Sequence, residues 1–266
     1  MLKRVLILFT LFVLCIVSTG SVLYFYVDNE SEKLVQGYPV WVKDHYELVK
    51  SKPKNWVELK MISDSIKWAI ILSEDWAFYD HSGVDFNQLE IVLMESYEEG
   101  KLTRGASTIT QQLVKNALLT QEKTLIRKFK EILLTLMVED KMTKDQILEK
   151  YLNMIELGEN IYGVGEASKY YFKKSSSKLN PKEGAFLAML LPSPVRYSQS
   201  YRSQELTDFA KEQVSNILLK MKQAHIISEV QREEFDNKPL SFEKRAQIAA
   251  PKKTDLSVFD DLEFYE

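Results

Sequence analysis

Two glutamates, Glu74 and Glu131, lie on either side of a basic, hydroxyl-rich segment of the chain. The segment runs Arg-Gly-Ala-Ser-Thr-Ile-Thr-Gln-Gln-Leu-Val-Lys-Asn over 104–116. A carboxylate can act as a general base, and nearby cations can stabilise the negative charge of a departing phosphate. The combination therefore indicates chemistry on a sugar whose leaving group is a phosphate.

The first acid follows an apolar helical pattern over 63–73, for which Ser63 is the predicted N-cap. A carboxylate near a helix C-terminus faces the negative end of the helix dipole, which raises its pKa and suits a general base near neutral pH. The neighbouring Asp75 would act in the same direction. A solvated residue at a helix end is the alternative that stays open for Glu74.

The small residues Gly-Ala-Ser at 105–107 lead into a predicted helix over 108–119. Thr108 and Gln111 have the spacing of a capping box, and a helix N-terminus of this kind binds anions. Gln111 and Lys115 share a helix face at i and i+4. An ordinary helix cap remains the alternative interpretation of this segment.

On the next predicted helix, over 125–139, Arg127 and Lys128 lie one turn before Glu131. Such spacing is typical of a surface ion pair worth a few tenths of a kcal/mol. The functional alternative gives the two cations a diphosphate, which arginine binds in a bidentate manner, and leaves Glu131 facing the reaction centre.

The charge distribution supports a discrete anionic ligand. Segment 101–130 holds seven basic residues and one acidic residue, in a chain with a formal net charge of −3. A nucleic-acid-binding domain would tend to be basic throughout, so we expect no nucleic-acid partner. With one cysteine and three scattered histidines, the sequence shows neither a disulfide framework nor a zinc-ligand pattern.

Residues 5–27 carry no charge and would rise about 34 Å as a helix, which is enough to cross a bilayer. Lys3 and Arg4 precede this span and acidic residues follow it, so we expect the N-terminus inside and the remainder outside. A cleaved signal peptide is the alternative, with small residues at 18–21. The apolar run continues to Val27, which favours an uncleaved anchor.

After the span, the pattern is mostly helical and shows no sustained period-two alternation, so the predicted fold class is mainly α. Five motifs, in order, resemble those of the peptidoglycan glycosyltransferases, glycosyltransferase family 51, in its monofunctional membrane-anchored form. The first three correspond to Glu74, Asp75, Phe78, His81 and Gly83, then Gly105, Ser107, Thr108, Ile109, Gln111, Gln112, Lys115 and Asn116, then Arg127, Lys128 and Glu131. The other two correspond to 147–153 with 158–164, and to 183–197.

The resemblance covers roughly 56–198, with a weaker match over 205–240. It implies a lysozyme-like, mainly α glycosyltransferase domain preceded by a single transmembrane helix. The boundaries that we predict are a cytoplasmic N-terminus 1–4, an anchor 5–27, a stalk or connecting segment 28–55, the catalytic domain 56–240 and a loosely ordered tail 241–266.

The resemblance also implies the reaction: lipid II is polymerised into glycan strands with inversion at the donor sugar. Glu74 is then the general base, and Glu131 is a second catalytic residue that orients the cations or the donor sugar. The predicted substrate-binding residues are Asp75, Phe78, His81, Gly105, Ser107, Thr108, Gln111, Gln112, Lys115, Asn116, Lys123, Arg127 and Lys128.

The expected partners are lipid II, the growing glycan strand, the membrane, and other cell-wall synthesis or division proteins. The expected location is the cytoplasmic (inner) membrane, with a single-pass anchor and the catalytic domain on the periplasmic or extracellular side. We predict no resident cofactor or metal ligand set, although a divalent cation such as Mg²⁺ could assist the diphosphate. The amphipathic segment 86–97 would lie either on the membrane surface or in the core.

The sequence departs from the family's motifs at two positions, and two other functions stay open. Ala77 stands where many family members carry a basic residue in the first motif, and Ala106 stands where many carry a second glycine. A lysozyme-like hydrolase or lytic transglycosylase also uses a catalytic glutamate but needs no diphosphate-binding cations. An inactive membrane-anchored scaffold of a cell-wall complex is the non-enzymatic alternative.

Overall fold

The computed structural model describes residues 2–100, 105, 107–120, 122 and 124–244 of the chain. The helices of this part are α1 Leu2–Gln36, α2 Asp64–Glu74, α3 Phe86–Glu99, α4 Ile109–Leu118, α5 Leu125–Lys141, α6 Lys144–Met154, α7 Val164–Phe172, α8 Pro181–Leu190, α9 Pro194–Tyr197, α10 Gln199–Ser203, α11 Asp208–Gln223 and α12 Glu229–Asn237. The mainly α prediction is confirmed. The predicted loose tail falls outside the described residues except for 241–244.

The helix starts follow the capping signals of the sequence. The Ser63 side chain accepts a hydrogen bond from the backbone of Ile66 at the start of α2. Thr108 and Thr143 each form a complete capping box, at the starts of α4 and α6. Each cap satisfies backbone N–H groups that the first turn would otherwise leave unpaired, so these boundaries depend only on nearby residues.

A β-hairpin lies within the predicted stalk or connecting segment, 28–55. Strands β1 (Tyr38–Val42) and β2 (His45–Val49) pair antiparallel, with Tyr38 opposite Val49. The strands are rich in aromatic and β-branched residues, which favour a pleated conformation. The Tyr46 hydroxyl donates to the backbone oxygen of Met154 at 2.7 Å, so the hairpin belongs to the globular domain. A second, short hairpin pairs β3 (Glu156–Gly158) with β4 (Ile161–Tyr162).

Helix α1 continues nine residues beyond the predicted end of the anchor at Val27. Its first part is long and apolar enough to cross a membrane by length and composition. Its last part packs against α5, where Ser31 and Leu34 are fully buried. Lys141 of α5 lies 2.6 Å from Asp28 and 3.2 Å from Glu32. Packing on the domain explains why the helix does not stop at the end of the apolar span.

The core is built around α2, which packs closely against α8, with α11 beside both helices. Ile66 and Ile70 of α2 are fully buried. A Cβ atom at Gly184 of α8 would lie 2.5 Å from the backbone oxygen of Ser65, so this close approach requires glycine. Burial of each such isoleucine is worth about 1.5–3 kcal/mol. The end of α2, which carries Glu74, is therefore held by a rigid core.

Candidate active site

A cleft of about 610 Å³ opens at the C-terminal end of α2. Seven of the residues predicted from the motifs line it, and they come from the end of α2 and from α4 with its preceding loop. They are Glu74, Asp75, Gly105, Ser107, Thr108, Gln112 and Lys115. The cleft thus brings together the predicted general base, one cation and the hydroxyl groups of the second motif.

Glu74 is half-buried in this cleft. Its Oε2 accepts a hydrogen bond from Gln112 Nε2 at 2.9 Å. Burial raises the pKa of the Glu74 carboxyl above its ordinary value, and the charge of Asp75 acts in the same direction. The Gln112 hydrogen bond and the charges of Lys220 and Lys115 act against this increase. A carboxylate with a raised pKa is a stronger base once it is deprotonated.

Tyr151 of α6 fixes the orientation of the Gln112 amide. The fully buried Tyr151 hydroxyl donates to Gln112 Oε1 at 3.0 Å, which leaves Nε2 directed at Glu74. Burial raises the pKa of Tyr151 well above its ordinary value, and the charge of Glu74 adds to this effect. Tyr151 therefore remains a hydrogen-bond donor throughout the neutral pH range.

Asp75 connects the first motif to the second. Its Oδ2 accepts from the backbone N–H of Ile109 at 2.9 Å, and its Oδ1 lies 2.8 Å from His81 Nε2. His81 Nδ1 accepts from the backbone N–H of Gly83 at 3.1 Å, so Nε2 carries the proton and donates it to Asp75. A carboxylate at the first turn of α4 also interacts favourably with the helix dipole.

Gly83 completes this connection. Its backbone oxygen accepts from the Thr108 hydroxyl at 2.6 Å. Its φ of +88° lies in the left-handed region, and a Cβ atom there would lie 2.7 Å from Thr135 Cγ2. Both observations require glycine at this turn. The first motif therefore sets the position of the helix that carries Gln112 and Lys115.

Several predicted substrate-binding residues do not line the cleft. The Phe78 ring is fully buried in the core, His81 is engaged with Asp75, and Gln111 closes the capping box with Thr108. Asn116 is half-buried outside the cleft lining. Internal contacts give Phe78, His81 and Gln111 positioning roles, while direct contact with a substrate stays a prediction. Lys123 lies outside the described residues.

The third motif forms a separate charged cluster on α5. Glu131 is 2% exposed, and its Oε2 lies 2.7 Å from Arg127 Nη1. Its other oxygen pairs with Lys128 Nζ. The buried Nε of Arg127 has no hydrogen-bond partner in the described part of the chain. Helix α5 packs against α4, yet none of these three residues is among those that line the Glu74 cleft.

The predicted site residues did not include seven residues of the cleft, namely Leu72, Ser73, Trp76, Asp85, Gln88, Pro192 and Lys220. Of these, Ser73 and Trp76 are close to Glu74 in the chain, and Pro192 lies within the fifth motif. Asp85 is the N-cap of α3 and accepts from the backbone of Gln88, so its capping signal was present in the sequence. Lys220 lies on α11, outside the three motifs that carry the predicted site. No local signal links Lys220 to Glu74; only the packing of α11 on α2 does.

A larger groove of about 730 Å³ lies beside Trp56, away from the Glu74 cleft. One of its acids, Glu149, is occupied, because Oε1 accepts from Trp56 Nε1 and Oε2 accepts from the backbone of Leu59, both at 2.8 Å. Asn153, one turn on, accepts from Val57 N and donates to Val57 O. These residues of the fourth motif hold a loop in place, so size alone does not identify the chemical site.

Among the residues that the structure describes, no group of three or more His, Cys, Asp or Glu could hold a metal ion. A divalent cation would then be bound mainly through phosphate oxygens of the substrate, as Mg²⁺ often is. The participation of such a cation stays a prediction.

A family model described as Transglycosylase matches residues 43–222. Three curated relatives are each named biosynthetic peptidoglycan transglycosylase. The protein from Nitrosomonas eutropha is 40% identical over 156 residues, which is 59% of this chain and 64% of the relative. The protein from Acinetobacter baumannii strain SDF is 40% identical over 156 residues, which is 59% of this chain and 69% of the relative. The protein from Bdellovibrio bacteriovorus is 42% identical over 144 residues, which is 54% of this chain and 57% of the relative.

Proposed function

Because this chain belongs to the transglycosylase family, we propose that it is a peptidoglycan glycosyltransferase that polymerises lipid II into glycan strands. The observation that carries the proposal is Glu74: a half-buried carboxylate with a raised pKa, in one cleft with Lys115 and Gln112. A general base and a cation in a shared cleft are what transfer from a diphosphate-linked sugar requires.

In the proposed step, Glu74 accepts the proton of the acceptor's GlcNAc 4-hydroxyl, and the hydroxyl oxygen attacks C1 of the donor sugar. The new bond to C1 forms on the face opposite the leaving group, so the configuration inverts. The bond from C1 to the phosphate oxygen breaks, and its electron pair leaves with undecaprenyl diphosphate. The acceptor hydroxyl takes the place that water has in an inverting hydrolase.

Charge develops on the diphosphate as it departs, and Lys115 is the motif cation that lines the cleft and would stabilise it. Arg127 and Lys128 of the neighbouring helix both pair with the buried Glu131, which fixes their positions. In this proposal they contact the diphosphate or its lipid-proximal end.

The apolar part of α1 supports an anchor that leaves the domain on the outer face of the cytoplasmic (inner) membrane. The lipid of the substrate remains in the bilayer, so the active site has to lie near that face. Helix α3 exposes Phe86, Leu93, Met94 and Tyr97. An exposed apolar helix face of this kind favours the membrane-surface interpretation of 86–97 over burial in the core.

The test is a gel analysis of products from fluorescent lipid II incubated with the full-length protein in detergent, with and without a metal chelator. We expect a ladder of glycan polymers and no fragments from finished peptidoglycan in a parallel incubation. Cleavage of finished peptidoglycan without polymer would favour the hydrolase alternative. Binding of lipid II without any product would favour an inactive scaffold. Loss of the ladder with chelator and its return with Mg²⁺ would establish that the reaction requires a divalent cation.

A further inference from the structure

Lys220 reaches the end of α2 from the last turn of α11. Its Nζ donates to the backbone oxygen of Leu72 at 3.3 Å, two residues before Glu74. Its side chain is exposed and lines the same cleft as Glu74 and Lys115. Lys220 therefore touches both the helix that presents the general base and the space that the substrate would fill.

The hydrogen bond from Lys220 to the Leu72 carbonyl stabilises the C-terminal end of α2. The last turn of a helix leaves carbonyl groups without partners inside the helix. At the end of α2, the oxygen of Ile71 accepts from the backbone of Asp75, and the oxygen of Leu72 accepts from Lys220. A cation at a helix C-terminus also opposes the negative end of the dipole. Lys220 thus fixes the final turn from which the Glu74 side chain projects.

Charged and titratable groups face Glu74 from α4, α6 and α11 and from the adjoining loops. Asp75 follows it directly, Asp85 lines the cleft, and Tyr151 approaches from α6. Lys115 of α4 and Lys220 of α11 are the cations that act on it in the described part. Lys115 is assigned to the departing diphosphate. When the donor binds, the negative diphosphate would neutralise the charge of Lys115. Lys220 is then the remaining cation that opposes the increase in the Glu74 pKa caused by burial and by the charge of Asp75.

We propose that Lys220 is a positioning residue for the general base: it holds the last turn of α2 and keeps Glu74 in its basic form during turnover. The proposal rests on the proposed function, because it assigns a role within that same reaction. It gives a residue of α11 control over the pH range in which the enzyme works.

The experiment compares Lys220→Met and Lys220→Arg in the full-length protein, with Lys222→Met as the matched control. Lys222 lies on the same last turn but pairs with Glu229 at 3.1 Å, and it does not line the cleft. The rate of lipid II polymerisation is measured as kcat and KM across pH 5 to 9. Titration of ¹³C-labelled glutamate side chains by NMR follows Glu74 directly, with Glu74→Gln used to assign its signal.

Removal of a nearby cation raises the pKa of a carboxyl, so a base needs a higher pH to become deprotonated. We therefore expect the acid limb of the kcat profile, which reports groups in the substrate-bound enzyme, to move to higher pH in Lys220→Met. The loss on the acid side should be roughly two- to fivefold, because the cation is exposed to solvent. Lys220→Arg should restore the wild-type limb, Lys222→Met should leave it in place, and the Glu74 NMR midpoint should move in parallel.

An equal loss of polymerisation rate at every pH would overturn the proposal and leave Lys220 a structural residue. A raised KM with an unchanged acid limb of the pH profile would also overturn it and leave Lys220 a substrate-binding residue. If the wild-type protein forms no polymer, the proposed function fails while the NMR titration still decides the coupling. An unchanged Glu74 midpoint in Lys220→Met would then reject the role of Lys220 independently of activity.

Discussion

Glu74 and Glu131 are both glutamates predicted to be catalytic, and the structure gives them opposite surroundings. Glu74 lies in an open cleft, where Gln112 is its only hydrogen-bond donor in the described part of the chain. Glu131 is 2% exposed, and Arg127 and Lys128 occupy both of its oxygens. A general base needs a free oxygen within reach of the substrate. Glu74 meets this requirement, whereas Glu131 is suited to holding cations.

The comparison shows that two acids of one residue type are separated by what each already binds. A neutral amide partner and burial leave Glu74 able to accept a proton. The buried Glu131 is paired with two cations, and its removal would leave the Arg127 and Lys128 charges without this partner. Substitution of the first should therefore affect chemistry, and substitution of the second should affect stability as well.

The largest expected effect is that of Glu74→Gln on polymerisation. Loss of a general base lowers rates by about 10²- to 10⁴-fold, so kcat for lipid II should fall by that order. The melting temperature should not fall, because the amide removes a carboxyl that burial disfavours in its charged form and can still accept from Gln112. Polymerisation near the wild-type rate would end the assignment of the base and the contrast with Glu131.

The second effect is that of Glu131→Gln on the free energy of unfolding. The change removes two charge-assisted contacts at a buried position and should destabilise the protein by about 1–3 kcal/mol. The matched control is Glu166→Gln, since Glu166 forms an exposed i,i+3 pair with Lys169 and should contribute little. Denaturant unfolding measures both variants. Equal stability of Glu131→Gln and the control would show that the α5 cluster is not structural.

The smallest effect concerns the hydroxyl that orients Gln112. Tyr151→Phe keeps the ring in the core but removes the donor to Gln112 Oε1, so the amide can rotate away from Glu74. We expect kcat/KM to fall roughly two- to tenfold, the range for one neutral hydrogen bond. Tyr201→Phe is the control, because its hydroxyl bonds the backbone of Tyr170 outside the cleft. An unchanged rate in Tyr151→Phe would mean that Gln112 is oriented without Tyr151.

The site was predictable to the extent that its residues lie in short motifs. The resemblance to the family's motifs grouped Glu74, Gln112 and Lys115, and the structure brings all three into one cleft. The same reasoning grouped Arg127 and Glu131 with them, but neither residue is among those that line the Glu74 cleft. Spacing along one helix indicates which side chains share a face, but it does not say which face another helix covers.

The sequence by itself determined the helix starts at Ser63, Thr108 and Thr143 and the membrane-length apolar span, because caps and periodicity depend on residues within one or two turns. Only the tertiary structure decided that α1 continues onto the domain and that 38–49 forms a hairpin. It alone placed Lys220 at the end of α2, through a contact between residues 148 positions apart. Such contacts arise from the packing of whole helices, which no local pattern encodes.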